Sequence, residues 1–123
     1  MGDAGSASMD SERRSNSRVP VDLSVALKLP DGTTSTSDTI GNVSLGGVFI
    51  EMPEPLAFGA ELDLEFTLPV APRLIRCRGF VVWSSKTHPE RCPGQSGIGV
   101  RLMDIGIPEM RILNEFIAGR LDA

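Results

Sequence analysis

The chain has 123 residues with a formal net charge of −4, and 41% of them are hydrophobic and 23% charged, a balance that suits one domain with a modest core. Two cysteines, Cys77 and Cys92, are too few for a disulfide framework and are expected reduced in a cytoplasmic chain. No apolar run approaches the ~20 residues that span a bilayer, the N-terminus lacks the apolar core of a signal peptide, and the opening "MGDAGS" matches a myristoylation pattern only in common letters.

Residues 1–11 are small and polar, too poor in apolar surface to offset the entropy of ordering, and read as a flexible tail. Residues 12–20, "ERRSNSRVP", hold Arg13, Arg14 and Arg18; residues 1–18 balance these against Asp3, Asp10 and Glu12, so the whole net charge resides downstream. Such a chain has a point of positive charge and no broad basic face, which suits a small, highly charged anion better than a nucleic-acid duplex.

From Val21 to Leu29 strict alternation places Val21, Leu23, Val25, Leu27 and Leu29 on one face, the mark of a half-buried strand. "PDGT" at 30–33 signals a turn, and the threonine-rich run 33–41 suggests a strand with weak patterning. "VFIEM" at 48–52 alternates again, with Val48, Ile50 and Met52 opposite Phe49 and Glu51. After "PEPLAFGA", the residues Leu62, Leu64, Phe66 and Leu68 mark another period-2 strand whose other face carries Glu61, Asp63 and Glu65, solvated in the simplest reading.

The longest candidate strand, 73–84, puts Ile75, Cys77, Gly79, Val81 and Trp83 on one face and Arg76, Arg78, Phe80 and Val82 on the other; a solvated face accounts for the two arginines. "SKTHPERCPGQS" is a loop, and "GIGVRL" at 97–102 a last strand whose glycines permit a bulge or close backbone approach. Beyond Pro108 the period changes: Met110, Leu113, Phe116, Ile117 and Leu121 recur at three- and four-residue spacing, an amphipathic helix over 108–121. About six short strands and one terminal helix suggest a small antiparallel barrel with the helix packed outside it or across an end.

No catalytic constellation is evident, because His88 is the only histidine and has no paired nucleophile. With Cys77 and Cys92 it also makes no metal-ligand spacing. The informative pair is elsewhere. "RRSNSR" contains Arg14-x-x-x-Arg18, and "GNVSLGG" contains Asn42-x-Ser44-x-x-Gly47 at a strand-to-strand junction. Alone the second stretch is an ordinary turn, since turns need glycine and asparagine anyway.

Together, in this order and separation, the two stretches resemble the signatures R-x-x-x-R and [DN]-x-S-x-x-G of the PilZ domain family, bacterial modules that bind cyclic di-GMP. "FVVW" at 80–83 and "GIGVRL" are similar to the later strands of that family. The resemblance implies an all-β fold, a six-stranded antiparallel PilZ-type β-barrel with a C-terminal α-helix. Its expected layout is a domain at 12–121, with a ligand-binding arm at 12–20, the barrel at 21–103 and the helix at 108–121.

By the same resemblance Arg13, Arg14, Arg18, Asn42, Ser44, Gly46 and Gly47 are the expected ligand-binding residues. Guanidinium groups fork onto phosphate oxygens and donate to guanine O6 and N7. Asn42 would bond a guanine edge, less strongly than a carboxylate; Ser44 would touch ligand or steady the arm; Gly46 and Gly47 would give access to bare backbone. Arg13, preceding the first motif arginine, implies two intercalated ligand molecules. Trp83 is a candidate base-stacking platform or an ordinary barrel aromatic.

The expected function is that of a cytoplasmic, non-enzymatic cyclic di-GMP receptor without metal or cofactor, which reshapes on binding and signals through an unidentified effector protein. The family suggests a role such as motility regulation, and a monomer or weak homodimer is expected. Two other readings stay open: a PilZ-like adaptor that works by protein contact without the nucleotide, and a nucleic-acid binder using the arm and Trp83, which the acidic remainder opposes.

Overall fold

A computed structural model describes residues 18–44, 46–69, 71–91 and 93–122. Six strands succeed one another: β1 (Val19–Lys28), β2 (Thr34–Val43), β3 (Gly47–Glu51), β4 (Glu61–Leu68), β5 (Ala71–Ser84) and β6 (Gly97–Met103), followed by the helix α1 (Ile107–Asp122). The strands close into a barrel in the order β1-β2-β3-β6-β5-β4, and every neighbouring pair is antiparallel. Closure leaves no sheet edge exposed. The all-β barrel with a C-terminal helix is thus the observed architecture.

Alternation makes the barrel. On β4, Leu62, Leu64, Phe66 and Leu68 are buried while Glu61, Asp63 and Thr67 are exposed. The inner wall is completed by Val25 and Leu27 of β1, Ile40 and Val43 of β2, Val48 and Ile50 of β3, Ile75 and Val81 of β5, and Ile98 and Val100 of β6. Leu113, Phe116 and Ile117 of α1 join the same cluster, and the helix packs against β5 and β1. The three-residue link from β6 to α1 turns at Asp104, whose φ of 55° falls in the left-handed region that aspartate tolerates.

The turn between β1 and β2 is built as "PDGT" suggests. Gly32 adopts φ 90°, and Asp31 Oδ1 accepts from the Thr33 amide at 3.0 Å and from the Thr33 hydroxyl at 2.7 Å. These bonds hold the Asp31 carboxyl below its ordinary value.

Two departures from simple alternation have a common cause. Pairing of β2 with β3 slips between Ile40 and Asn42, so Ile40 and Val43, three residues apart, both point inward. This bulge at Gly41 explains why β2 looks weakly patterned. Pairing of β5 with β6 slips between Val81 and Trp83. Val81 is fully buried in the core, whereas Trp83 is half-buried and stacks on Phe49, whose neighbours Val48 and Ile50 face inward. The expected grouping of Trp83 with Val81 on one face is therefore corrected: the extra residue at Val82 rotates the indole to the outer wall.

The face of β4 and β5 is solvated as expected, and its charges are paired in a ladder. Arg76 Nε lies 2.7 Å from Glu65, Arg78 Nη2 lies 2.8 Å from Glu61, and Arg78 Nε lies 3.6 Å from Asp63. Opposite charges directly across antiparallel strands add modestly to pairing.

Cys77 lines the core side of β5, and burial, aided by the Asp63 charge, pushes its thiol from 9.0 to about 11. The unfolded chain therefore releases this proton first, so stability falls as pH rises from about 9 toward 11. A Cys77→Ala variant should show a flatter alkaline limb in urea melts over that window.

Glycines differ in what they accommodate. A Cβ at Gly79 would run into the Val100 and Leu64 side chains of the core, while one at Gly119, on the helix, meets open space. Gly79→Ala should cost about 1–3 kcal/mol by overpacking, and Gly119→Ala should add roughly 0.5–1 kcal/mol through helix propensity. Urea-melt midpoints moving in opposite directions would check both.

Candidate functional site

Register brings the two arginine- and asparagine-bearing stretches together. Val19 pairs with Val43 and Pro20 with Asn42, so Arg18, just before β1, emerges beside the end of β2. Arg18 Nη1 donates to Asn42 Oδ1 at 2.8 Å across 24 residues of sequence. Arginine has only donors, so the atom facing it must be the amide oxygen; this fixes the orientation of the Asn42 side chain.

The same end of the barrel carries the β2–β3 turn. Ser44 is buried, and its amide donates to the Gly47 carbonyl at 2.8 Å while its hydroxyl donates to the same oxygen at 3.3 Å. The Gly46 carbonyl accepts from the Leu102 amide at 3.2 Å. Gly47 pairs with Arg101 of β6, and a Cβ there would run into the Val100 carbonyl. Glycine at 47 is thus demanded by barrel closure, whatever else approaches the turn. Gly46 differs: it is exposed, and a Cβ there meets open space.

Trp83 stands apart from this corner. Register runs Asn42 to Phe49 to Gly99 to Trp83 across four adjacent strands, about 14 Å at the usual strand spacing. The Phe49 and Trp83 rings stack at 5.5 Å and 14°, and a Cβ at Gly99 would occupy the space of the indole. The phenylalanine ring also covers Gly97. Sequence reasoning assigned no role to Phe49, yet it links Asn42 to the indole. The signal is an aromatic on the polar face of a short strand, facing a Gly-x-Gly pair.

Arg13 and Arg14, and with them the expected tail and residues 12–17 of the arm, lie outside the described residues. Of the expected site residues the structure therefore brings Arg18 to Asn42, gathers Ser44, Gly46 and Gly47 in the adjoining turn, and sets Trp83 on the outer wall beyond Phe49. Among the described residues no group of three His, Cys, Asp or Glu side chains forms a metal-ligand set. No described helix is long and apolar enough to cross a membrane.

A closed six-stranded barrel with a terminal helix, and an arginine entering β1 beside the motif asparagine, define a class of small barrel domains. Residues 12–119 match the PilZ domain family, and the chain belongs to that family, whose domains are of the cyclic di-GMP-binding type or adaptors related to them. The inhibitor of motility MotI/DgrA of Bacillus subtilis is similar in fold, with a TM-score of 0.64 at 18% identity over 85% of this chain and 48% of that one. This chain thus spans about half the length of that protein. The PilZ domain of CeSA from a cellulose-synthesizing bacterium is similar with a TM-score of 0.56 at 17% identity, covering 86% of this chain and 98% of the other. No curated protein matches the sequence.

The two glycines of the turn should respond differently to the same methyl group. Gly47→Ala should lower stability by about 1–3 kcal/mol, whereas Gly46→Ala should stay within about 0.5 kcal/mol of the parent. Thermal melts of the two variants compare them directly.

Proposed function

We propose that the protein is a non-enzymatic cyclic di-GMP receptor of the cytoplasm whose ligand sits at the barrel end where Arg18 meets Asn42. The observation that carries this reading is the 2.8 Å bond between Arg18 and Asn42. It brings the last arginine of one motif to the asparagine of the other, at a corner where a guanidinium for phosphate or guanine stands beside an amide and the exposed Gly46.

In this reading the domain spans 12–121, the arm 12–20 adds Arg13 and Arg14 to the corner, and residues 1–11 are a tail. Two intercalated ligand molecules would present four phosphodiester anions to these arginines. Ordering of the arm over the rim changes the surface offered to a protein effector, the step by which a signal leaves the domain. Ser44 acts by holding the turn, consistent with both of its bonds going to Gly47. Phe49 occupies one face of the Trp83 ring, so base stacking at Trp83 would use the opposite face. The likeness to an inhibitor of motility supports motility as one output to examine first.

The competing reading is a PilZ adaptor that works by protein contact alone. An exposed aromatic pair favours giving it a place: Phe58, 67% exposed, meets Phe80 edge to face at 5.9 Å on the outer wall. Calorimetric titration with cyclic di-GMP separates the two. The receptor reading expects saturable heat from the parent. Arg14→Ala and Arg18→Ala should each weaken affinity roughly tenfold or more, the worth of a charge-assisted bond, with melting temperature nearly unchanged. Parent affinity retained in both variants would remove the clamp, and silence in the parent would leave the adaptor.

A further inference from the structure

Arginines on the outer wall of the barrel fall into two kinds. Arg76 and Arg78 each stand beside a carboxylate of β4, at 2.7 and 2.8 Å. Arg101 of β6 does not. It is exposed, and among the described residues no ion pair, hydrogen bond or ring contact engages its guanidinium.

Strand register explains the difference. Val48 and Val100 face the core as a cross-strand pair, so the next pair along, Gly47 and Arg101, faces outward. On its other side Arg101 stands across from Phe80, and its neighbours on the same face of β6 are Gly99 and Met103. None of these is acidic. Glu61, the partner of Phe80 on the far side, is engaged by Arg78.

The place of this unmatched charge is informative. The Leu102 amide, next in the chain, donates to the Gly46 carbonyl at 3.2 Å, and a Cβ at Gly47 would come within 3.5 Å of the Arg101 Cα. The β2–β3 turn therefore lies against the Arg101 backbone, and glycine at 47 raises no side chain between the two. From Asn42 the register runs through Phe49 to Gly99, two residues before Arg101. At the usual spacings Asn42 and Arg101 are about 12 Å apart along the outer wall. Arg18 thus stands on the β1 side of the turn and Arg101 on the β6 side.

Resting on the receptor reading above, we infer that Arg101 is a further anion-holding residue of the site. It takes a phosphodiester of the cyclic dinucleotide on the flank of the β2–β3 turn opposite Arg18. A guanidinium forks onto two phosphate oxygens, and a ligand with two phosphodiesters offers an anion to each flank. No sequence motif marks Arg101, because only the closure of β6 against β3 brings it to the turn.

The test titrates cyclic di-GMP into the parent, Arg101→Gln, Arg101→Lys and Lys86→Gln. Lys86 is exposed and follows β5 at the other end of its ladder with β6, so Lys86→Gln makes the same charge change away from the turn. Ligand-free thermal melts verify that each variant folds. Arg101→Gln should bind roughly tenfold or more weakly than the parent, Arg101→Lys should fall between them, and Lys86→Gln should match the parent. Added salt should weaken the parent and Lys86→Gln along one slope and Arg101→Gln along a shallower one.

Parent affinity in Arg101→Gln overturns the inference. Equal losses in Arg101→Gln and Lys86→Gln overturn it too, since they mark general attraction to positive charge and no contact at 101. A salt slope unchanged in Arg101→Gln does the same. Each of these leaves the receptor reading intact, whereas a parent that ignores cyclic di-GMP removes that reading and this one with it.

Discussion

One register, Val19 against Val43 and Pro20 against Asn42, is the constraint on which the site depends. Side chains on a strand alternate with a period of two, so a slip of one residue would send Arg18 and Asn42 to opposite walls. The register is held by burial at both ends of the contact: Val19 is 4% exposed and Val43 fully buried. Hydrophobic closure of the barrel end thus sets a polar contact outside it. The energy comes from the valines, at roughly 1.5–3 kcal/mol for each fully buried side chain, while the exposed Arg18–Asn42 bond contributes little to folding. A site organised in this way can exchange its hydrogen-bond partners without loosening the fold.

Close backbone approach on the opposite side of the turn serves the same end. Because Gly47 has no Cβ, the start of β3 lies directly against the Val100 carbonyl of β6. The Ser44 hydroxyl and amide both bind the Gly47 carbonyl, which fixes the turn relative to that strand. The outer wall repeats the device with aromatics: Gly97 and Gly99 leave room for Phe49 and Trp83 to lie over β6. The strip from Asn42 to Trp83 is consequently continuous and packed. Base–aromatic stacking needs an open ring face, and one face of the indole is already covered by Phe49.

Much of this was legible in the residues because burial on one wall writes a period of two. Leu62, Leu64, Phe66 and Leu68 announce β4, Val21 to Leu29 announce β1, and the change of spacing after Pro108 announces α1. Bulges were not legible. They add one residue without altering composition, so Trp83 looked like a core partner of Val81 until the slip in the β5–β6 pairing turned it outward. The weak pattern of β2 had the same origin at Gly41. Of the candidate site, the motif spacing pointed to Arg18 and Asn42, which the register brings within hydrogen-bonding distance. It could not reveal that Gly47 is required by Val100, because that demand comes from a strand some fifty residues away and leaves no local mark.

Charge placement completes the argument. Arg76 and Arg78 of β5 are matched across the ladder, Arg76 with Glu65 and Arg78 with Glu61 and Asp63, so this stretch of the wall presents alternating charge. Such exposed pairs are worth little to stability, but they set each of these two guanidinium groups beside a carboxylate. At the other corner Arg18 donates to a neutral amide, which orients the guanidinium. An aspartate in that position would hold the arginine more tightly and cancel its charge.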